Sequence, residues 1–268
     1  MAGRRWSESE LLVALNIYFE LEFGQFHQYQ PRIIEIAKLL DRTASSLAMK
    51  LCNFASLDPA MNGKGLSGAS KADREIMRSF IDDTENTIAR AQIALEDLMA
   101  HHDSDVTVNQ DRVRRDQFSE GAMSFSGQVP RMTESVAMRK TRIGQPFFRT
   151  AVLAGYRHRC GVCALNIPEL LVASHIIPWS QVPHLRLRPD NGISLCSIHD
   201  KAFDLGFWSL DHQLRIVLSR RLVQLGGEAE ALFFGKFEGK GLILPDRFVP
   251  KIEFIEWHRS NVFLDGKL

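Results

Sequence analysis

The stretch CGVCALNIPELLVASHIIPWSQVPHLRLRPDNGISLCSIHDKAFDLG, residues 160–206, holds three of the chain's four cysteines and three of its nine histidines. Cys160-x-x-Cys163 opens it and Cys196-x-x-His199 nearly closes it. Each tight pair offers two soft or borderline donors, and the four together suit one tetrahedral zinc. Such a site is a folding element, because the ligands exist as a set only once the chain has brought them together. A lone Cys-x-x-Cys could be a redox pair, but that motif is expected beside a βαβ pattern. The second pair favours a structural zinc held by Cys160, Cys163, Cys196 and His199.

The residues between the pairs do more than span a zinc ribbon. LLVASHIIPW has strand character and is bounded by Pro178, GISLCS reads as a second strand, and SIHDKAFDLG as a short helix ending at Gly206. The spacing predicts a ββα unit with its ends pinned. Ahead of it, GQPFFRTAVLAGYRHRC reads as a helix with Phe147, Phe148, Val152 and Tyr156 on its apolar face. Behind it, FWSLDHQLRIVLS alternates about the turn LDHQ and predicts a β-hairpin. LILPDRFVP is a turn region, and KIEFIEWHRSNVF a closing amphipathic helix in which Trp257 and His258 are packing residues.

Residues 6–57 read as three helices. Ser7 with Glu10 three residues on is a capping box, and Leu11, Leu12, Leu15, Tyr18 and Phe19 follow at helical spacing. Pro31 starts a second helix with Ile33, Ile34, Ala37 and Leu40 on one face. After the break Asp41-Arg42-Thr43, a third carries Leu47, Leu51 and Phe54 inward. Two helices joined by a tight turn outline a helix-turn-helix. Arg42, Thr43, Ser45, Ser46, Lys50 and Asn53 are then expected to face outward, with types suited to phosphate and base edges. Many three-helix units only pack or bind protein; the residue types here point to contact with DNA. Helices follow at about 71–82 and 84–100. Residues 101–135 are polar and short on periodicity, which predicts a linker, with His101 and His102 as solvated residues at a helix end.

The 268 residues carry a net charge of +1, with 45% hydrophobic and 24% charged residues, ordinary for one or two globular domains. No apolar run reaches the length of a membrane span, and the N-terminus lacks the apolar core of a signal peptide. Four cysteines, three at ligand spacing, fit a reducing cytoplasm. The charge is uneven: from Arg112 to Arg159 basic residues far outnumber Asp116, Glu120 and Glu134, enough to neutralise phosphates locally. Arg157 and Arg159 flank His158 and could clamp a phosphate; an exposed position without function competes with that reading.

With its pattern SHI-P-W, NG, L and H-D-K-A-F-D-L-G, the stretch resembles the HNH nuclease family of the ββα-metal fold, in the branch of bacterial restriction-type endonucleases. The likeness covers about 145–210; RIGQPFFRTAVLAGY resembles the lead-in of those proteins, and RRWSESELLVAL with LDRTASSLAMKLCNFASLDP the helical module often joined to them. It implies an α+β protein with a helical, helix-turn-helix-like module at 1–100, a linker at 101–135 and a zinc-stapled ββα-metal HNH domain at 136–268.

It also implies metal-dependent hydrolysis of DNA phosphodiesters, which needs a base for water and a hard cation for the departing oxygen. His175 would be the base; on its own it would read as a strand histidine satisfied by a backbone carbonyl. Asn191 would brace the loop between the strands, a role compatible with an Asn-Gly turn. Asp200, nine residues on, and Asp204, on the same helix face, would hold magnesium or manganese. Asp204 could instead only brace Gly206 or an arginine. Ser174 stands where some relatives have an Asp ligand, which opens the ligand count, and His199 could belong to either metal.

The biological role the resemblance implies is a restriction-type or modification-dependent defence enzyme acting on double-stranded DNA, with a homodimer as a hypothesis. A non-enzymatic zinc-containing DNA-binding regulator and a homing-type nickase are the rival readings.

Overall fold

The Ser7 hydroxyl accepts a hydrogen bond from the Glu10 amide while the Glu10 carboxylate accepts one from the Ser7 amide, the expected reciprocal cap, and it opens α1 (Glu8–Glu20). The computed structural model describes residues 4–61, 63–114 and 135–267, with the backbone alone for 103–114, 135–144 and 266–267. Next come α2 (Pro31–Leu39), with Pro31 at its first turn, and α3 (Ala44–Leu57), capped by Thr43 accepting from the Ser46 amide. Between them Asp41 takes a left-handed φ of 52°, and the Arg42 amide bonds back to the Ala37 carbonyl, closing the tight turn. Then follow α4 (Lys71–Asp82), α5 (Thr84–Arg114) and α6 (Ser135–Gly155). Among the described residues no helix is long and apolar enough to cross a membrane.

Two sequence expectations change here. A linker is expected from residue 101, yet α5 remains helical to Arg114; residues 115–134 lie outside the described residues. Adding a residue to an existing helix costs little, so a polar segment without periodicity can continue one. The second change concerns α1. Its buried residues run without a break from Glu10 to Leu15 and on through Ile17, Tyr18 and Phe19, more than one face can hold. A helix apolar on all sides must be enclosed, and α3, α4, α5 and α6 enclose it. Phe19 packs against Phe80 of α4 at 4.5 Å, Phe147 of α6 at 5.3 Å and Phe248 at 5.6 Å. The N-terminal helices and the C-terminal part thus share one apolar core.

Arg247 locks that junction. It is 2% exposed and donates to the carbonyls of Tyr18, Phe19 and Leu21, the unpaired C-terminal end of α1. Its guanidinium also lies over the rings of Tyr18 and Phe248.

The C-terminal part follows the expected order. β1 (Leu171–His175) and β2 (Gly192–Cys196) pair antiparallel with His175 opposite Gly192 and Leu171 opposite Cys196. A Cβ on Gly192 would lie 2.5 Å from Val152 and 2.8 Å from Phe148, so glycine is what lets α6 cross this sheet. α7 (Ser197–Asp204) follows β2 directly and ends at Gly206, whose φ of 73° turns the chain toward the hairpin of β3 (Trp208–Leu210) and β4 (Ile216–Leu218). Two short helices, α8 (Arg220–Leu225) and α9 (Glu228–Phe233), were not legible in the sequence; α10 (Ile252–Asn261) closes the fold. In α10 His258 is 1% exposed, stacks on Phe203 at 3.7 Å and contacts Ser209 Oγ and the Phe203 carbonyl, so it is a packing residue.

Candidate active site and metal centre

The two ends of the quoted stretch meet. His199 Nδ1 lies 3.1 Å from Cys196 Sγ and 3.6 Å from Cys160 Sγ, and Cys163 Sγ lies 4.0 Å from Cys196 Sγ. All four ligating atoms fall within 4.8 Å of one another. A tetrahedral zinc with Zn–S near 2.3 Å requires S···S edges of about 3.8 Å, so the donor set and its size fit that ion.

The surroundings support the same use. The Val162 amide points at Cys160 Sγ at 3.4 Å. His199 Nε2 donates to the Phe233 carbonyl at 2.9 Å, which leaves Nδ1 as a lone pair facing the thiols. A hydrogen bond from Cys160, against the cost of burial and with help from His199, holds the Cys196 thiol down at about 3. The same bond pushes Cys160 up.

His175, at the end of β1, is half-buried and stacked on Phe148 at 3.8 Å, with Trp179 edge-on at 5.7 Å. Its Nε2 sits 2.9 Å from the Arg186 carbonyl. A carbonyl only accepts, so Nε2 carries the proton and Nδ1 is left as the acceptor. Burial holds the imidazole below its ordinary value, with the Arg186 carbonyl opposing, which favours a neutral ring at neutral pH.

Asn191 is fully buried and spends its amide on the loop between the strands. Oδ1 accepts from the Ile177 amide at 2.9 Å, and Nδ2 donates to the carbonyls of Ile177 at 3.1 Å and Leu185 at 3.3 Å. The Ile176 amide bonds to its main-chain carbonyl. The peptide just beyond His175 is therefore clamped to the loop that supplies the Arg186 carbonyl.

Asp200 and Asp204 lie one turn apart on α7. Burial raises the Asp200 carboxyl above the ordinary range, opposed by the Ser174 hydroxyl beside it. Asp204 is raised by burial and then by the charge of Asp200. Ser174 is 2% exposed, and its Oγ makes no hydrogen bond of good geometry. By the alternation of the strand it points to the face opposite His175. Among the described residues no third His, Cys, Asp or Glu joins the two carboxylates at ligating distance, and His175 bonds to neither.

The residues expected to contact DNA divide into two groups. Arg42 and Lys50 are corrected. The Arg42 side chain is 7% exposed, pairs with Glu10 at 2.9 Å, donates to the carbonyls of Arg4 and Arg5, and covers the Trp6 ring. Lys50 is buried and bonds both carboxylate oxygens of Asp73, at 2.7 and 2.9 Å. A cation with a buried carboxylate partner is held inward, whatever face its spacing suggests. Ser45 is exposed, while Ser46 and Asn53 are half-buried. Arg157 is exposed but forks onto Asp246 at 2.7 and 2.9 Å, and Arg159 is exposed.

The segment that begins at the cysteine pair and runs through β1, β2 and α7, residues 160–211, matches the HNH endonuclease family. The chain carries an HNH endonuclease domain. No curated protein matches it. Among solved structures, the modification-dependent TagI restriction endonuclease is similar over 44% of this chain and 39% of its own, with 24% identity and a TM-score of 0.31. The chain thus spans about two-fifths of that structure's length.

Three groups that serve the HNH domain went unread in the sequence. The ring of Phe148 that flanks His175 was visible only as a helix-face apolar residue. The Arg186 and Phe233 carbonyls that orient His175 and His199 are main-chain atoms and carry no sequence signal.

Proposed function

We propose that this chain is a metal-dependent endonuclease hydrolysing phosphodiester bonds of double-stranded DNA, in a restriction-type role. The observation that carries the proposal is the state of His175 within the HNH domain: its Nε2 proton is tied to Arg186, its Nδ1 is available, and burial favours the neutral form. Such an imidazole can take a proton from an attacking water at neutral pH. Asn191 keeps the loop and strand in register for it.

Cys160, Cys163, Cys196 and His199 would hold a structural zinc, since four protein ligands leave no open position. Asp200 and Asp204 would hold magnesium or manganese, ions that keep several waters and need only one or two carboxylates. When bound, that cation supplies charge stabilisation for the departing oxygen. The charge of Asp200, which adds to burial in raising the Asp204 carboxyl, supports the assignment, because a cation relieves it. The half from residue 136 onward would do the chemistry, and the helices of 1–100 would engage DNA.

Purified protein incubated with plasmid and magnesium or manganese tests the proposal. Wild type is expected to cut and His175→Ala, still zinc-loaded, not to. An inert wild type on methylated and unmethylated DNA alike would return the chain to the regulator reading. The ratio of nicked to linear product, with the mass in solution, tests the homodimer and the nickase.

A further inference from the structure

Away from the HNH domain, Arg4, Arg5, Trp6, Arg42, Lys50 and Lys71 line a cavity of about 550 Å³ between the N-terminal arm and the first turns of α3 and α4. The cations form two tiers. Arg42 and Lys50 lie over Trp6, at 4.4 and 5.2 Å from the ring centre, and are matched by Glu10 and Asp73. They build the inner wall. Arg4, Arg5 and Lys71 stand at the rim. Arg4 is 58% exposed and shares Glu10 with Arg42. Lys71 is 92% exposed and only approaches Glu75, at 3.7 Å. Among the described residues the Arg5 side chain is exposed and has no ion pair or hydrogen bond.

One carboxylate cannot neutralise both Arg4 and Arg42, and an exposed pair at the Lys71–Glu75 distance is screened by water. The rim therefore keeps a positive excess, while the wall beneath it is rigidly braced. Exposed cations around a braced concavity suit phosphate rather than base edges.

We propose that this cavity seats the phosphate backbone of duplex DNA, contacted by Arg4, Arg5 and Lys71 without regard to sequence. The inference rests on the nuclease reading and deepens it. It moves the contact of the helical module from the outward face of α3 to the cavity between that helix, α4 and the N-terminal arm.

The full chain carrying His175→Ala, which prevents cutting, is titrated with a fluorescent duplex over a series of salt concentrations. Each phosphate contact contributes about 0.9 to the slope of log affinity against log salt. Adding Arg5→Ala and Lys71→Ala, both at exposed positions, is expected to flatten that slope by about 2 units. An unchanged slope overturns the cavity assignment and leaves the nuclease proposal standing. If affinity for inorganic tripolyphosphate falls while the duplex slope does not, the cavity takes a small anion and the assignment to DNA is overturned. Absence of duplex binding by the parent overturns the cavity assignment, and absence of cutting by wild type as well sinks the nuclease reading with it.

Discussion

His199 and Asp200 share a peptide bond and meet opposite surroundings. His199 is 2% exposed, ringed by Trp208, Phe234 and Phe237, with one nitrogen on a carbonyl and the other among three thiols. Asp200 is half-exposed beside an unsatisfied serine hydroxyl and a second carboxylate. Consecutive residues of a helix point about 100° apart, so one turn of α7 faces a closed knot and an open edge at once. The closed knot meets the needs of its own groups. The open edge leaves charge and hydrogen-bonding capacity unspent.

The largest effect should come from the closed side. Cys160→Ser is expected to lose zinc and with it the folding of the HNH domain, since structural zinc contributes on the order of 10 kcal/mol or more to such units. Zinc analysis with near-UV circular dichroism reads this. A folded variant with native stability would mean that the knot is not a folding element.

On the open side, His175→Ala should lower the cleavage rate by about 10²–10⁴-fold with zinc content and thermal midpoint unchanged. The pH profile of wild type sharpens the point. Because His175 is depressed by burial, the acid limb of activity is expected below the ordinary imidazole range rather than through it. A limb centred at about 6.5 or above would argue against His175 as the base.

A smaller change separates structure from contact in the helical module. Lys50→Ala strands the fully buried Asp73 carboxylate and should cost about 3 kcal/mol by denaturant titration. If stability holds and DNA affinity falls instead, Lys50 is a contact residue after all.

The smallest effect belongs to Asp204. Raised carboxylates disfavour the folded state above their folded pKa, and that penalty fades as pH falls through it. Asp204→Asn should therefore stabilise the ion-free protein at neutral pH, by less than about 1 kcal/mol because the side chain is well solvated. The same variant should show less thermal stabilisation by magnesium than wild type. Equal stabilisation would remove Asp204 from the cation site.

What was legible in the sequence was whatever depends on spacing along the chain. The capping box at Ser7, the helical turn at Asp41, the strand–strand–helix order and the two ligand pairs are local regularities, and each appears where the spacing puts it. The bracing of its loop by Asn191 came instead from the family resemblance, since the residues alone read as an Asn-Gly turn. The outward placing of Arg42 and Lys50 failed because their partners, Glu10 and Asp73, lie 32 and 23 residues away. The covering of the second face of α1 by α6 and Arg247 was not legible, because Arg247 is more than 220 residues from the carbonyls it caps.

The sequence by itself thus determined the elements, the donor types and the family of chemistry, since hydrogen-bond periodicity and ligand spacing act over a few residues. Tertiary structure alone decided that His199 lies among three thiols, which cations are spent inside the protein, and which carbonyl the His175 ring meets. Those outcomes depend on a carbonyl or carboxylate delivered from a distant element, and only the packed core brings the two together.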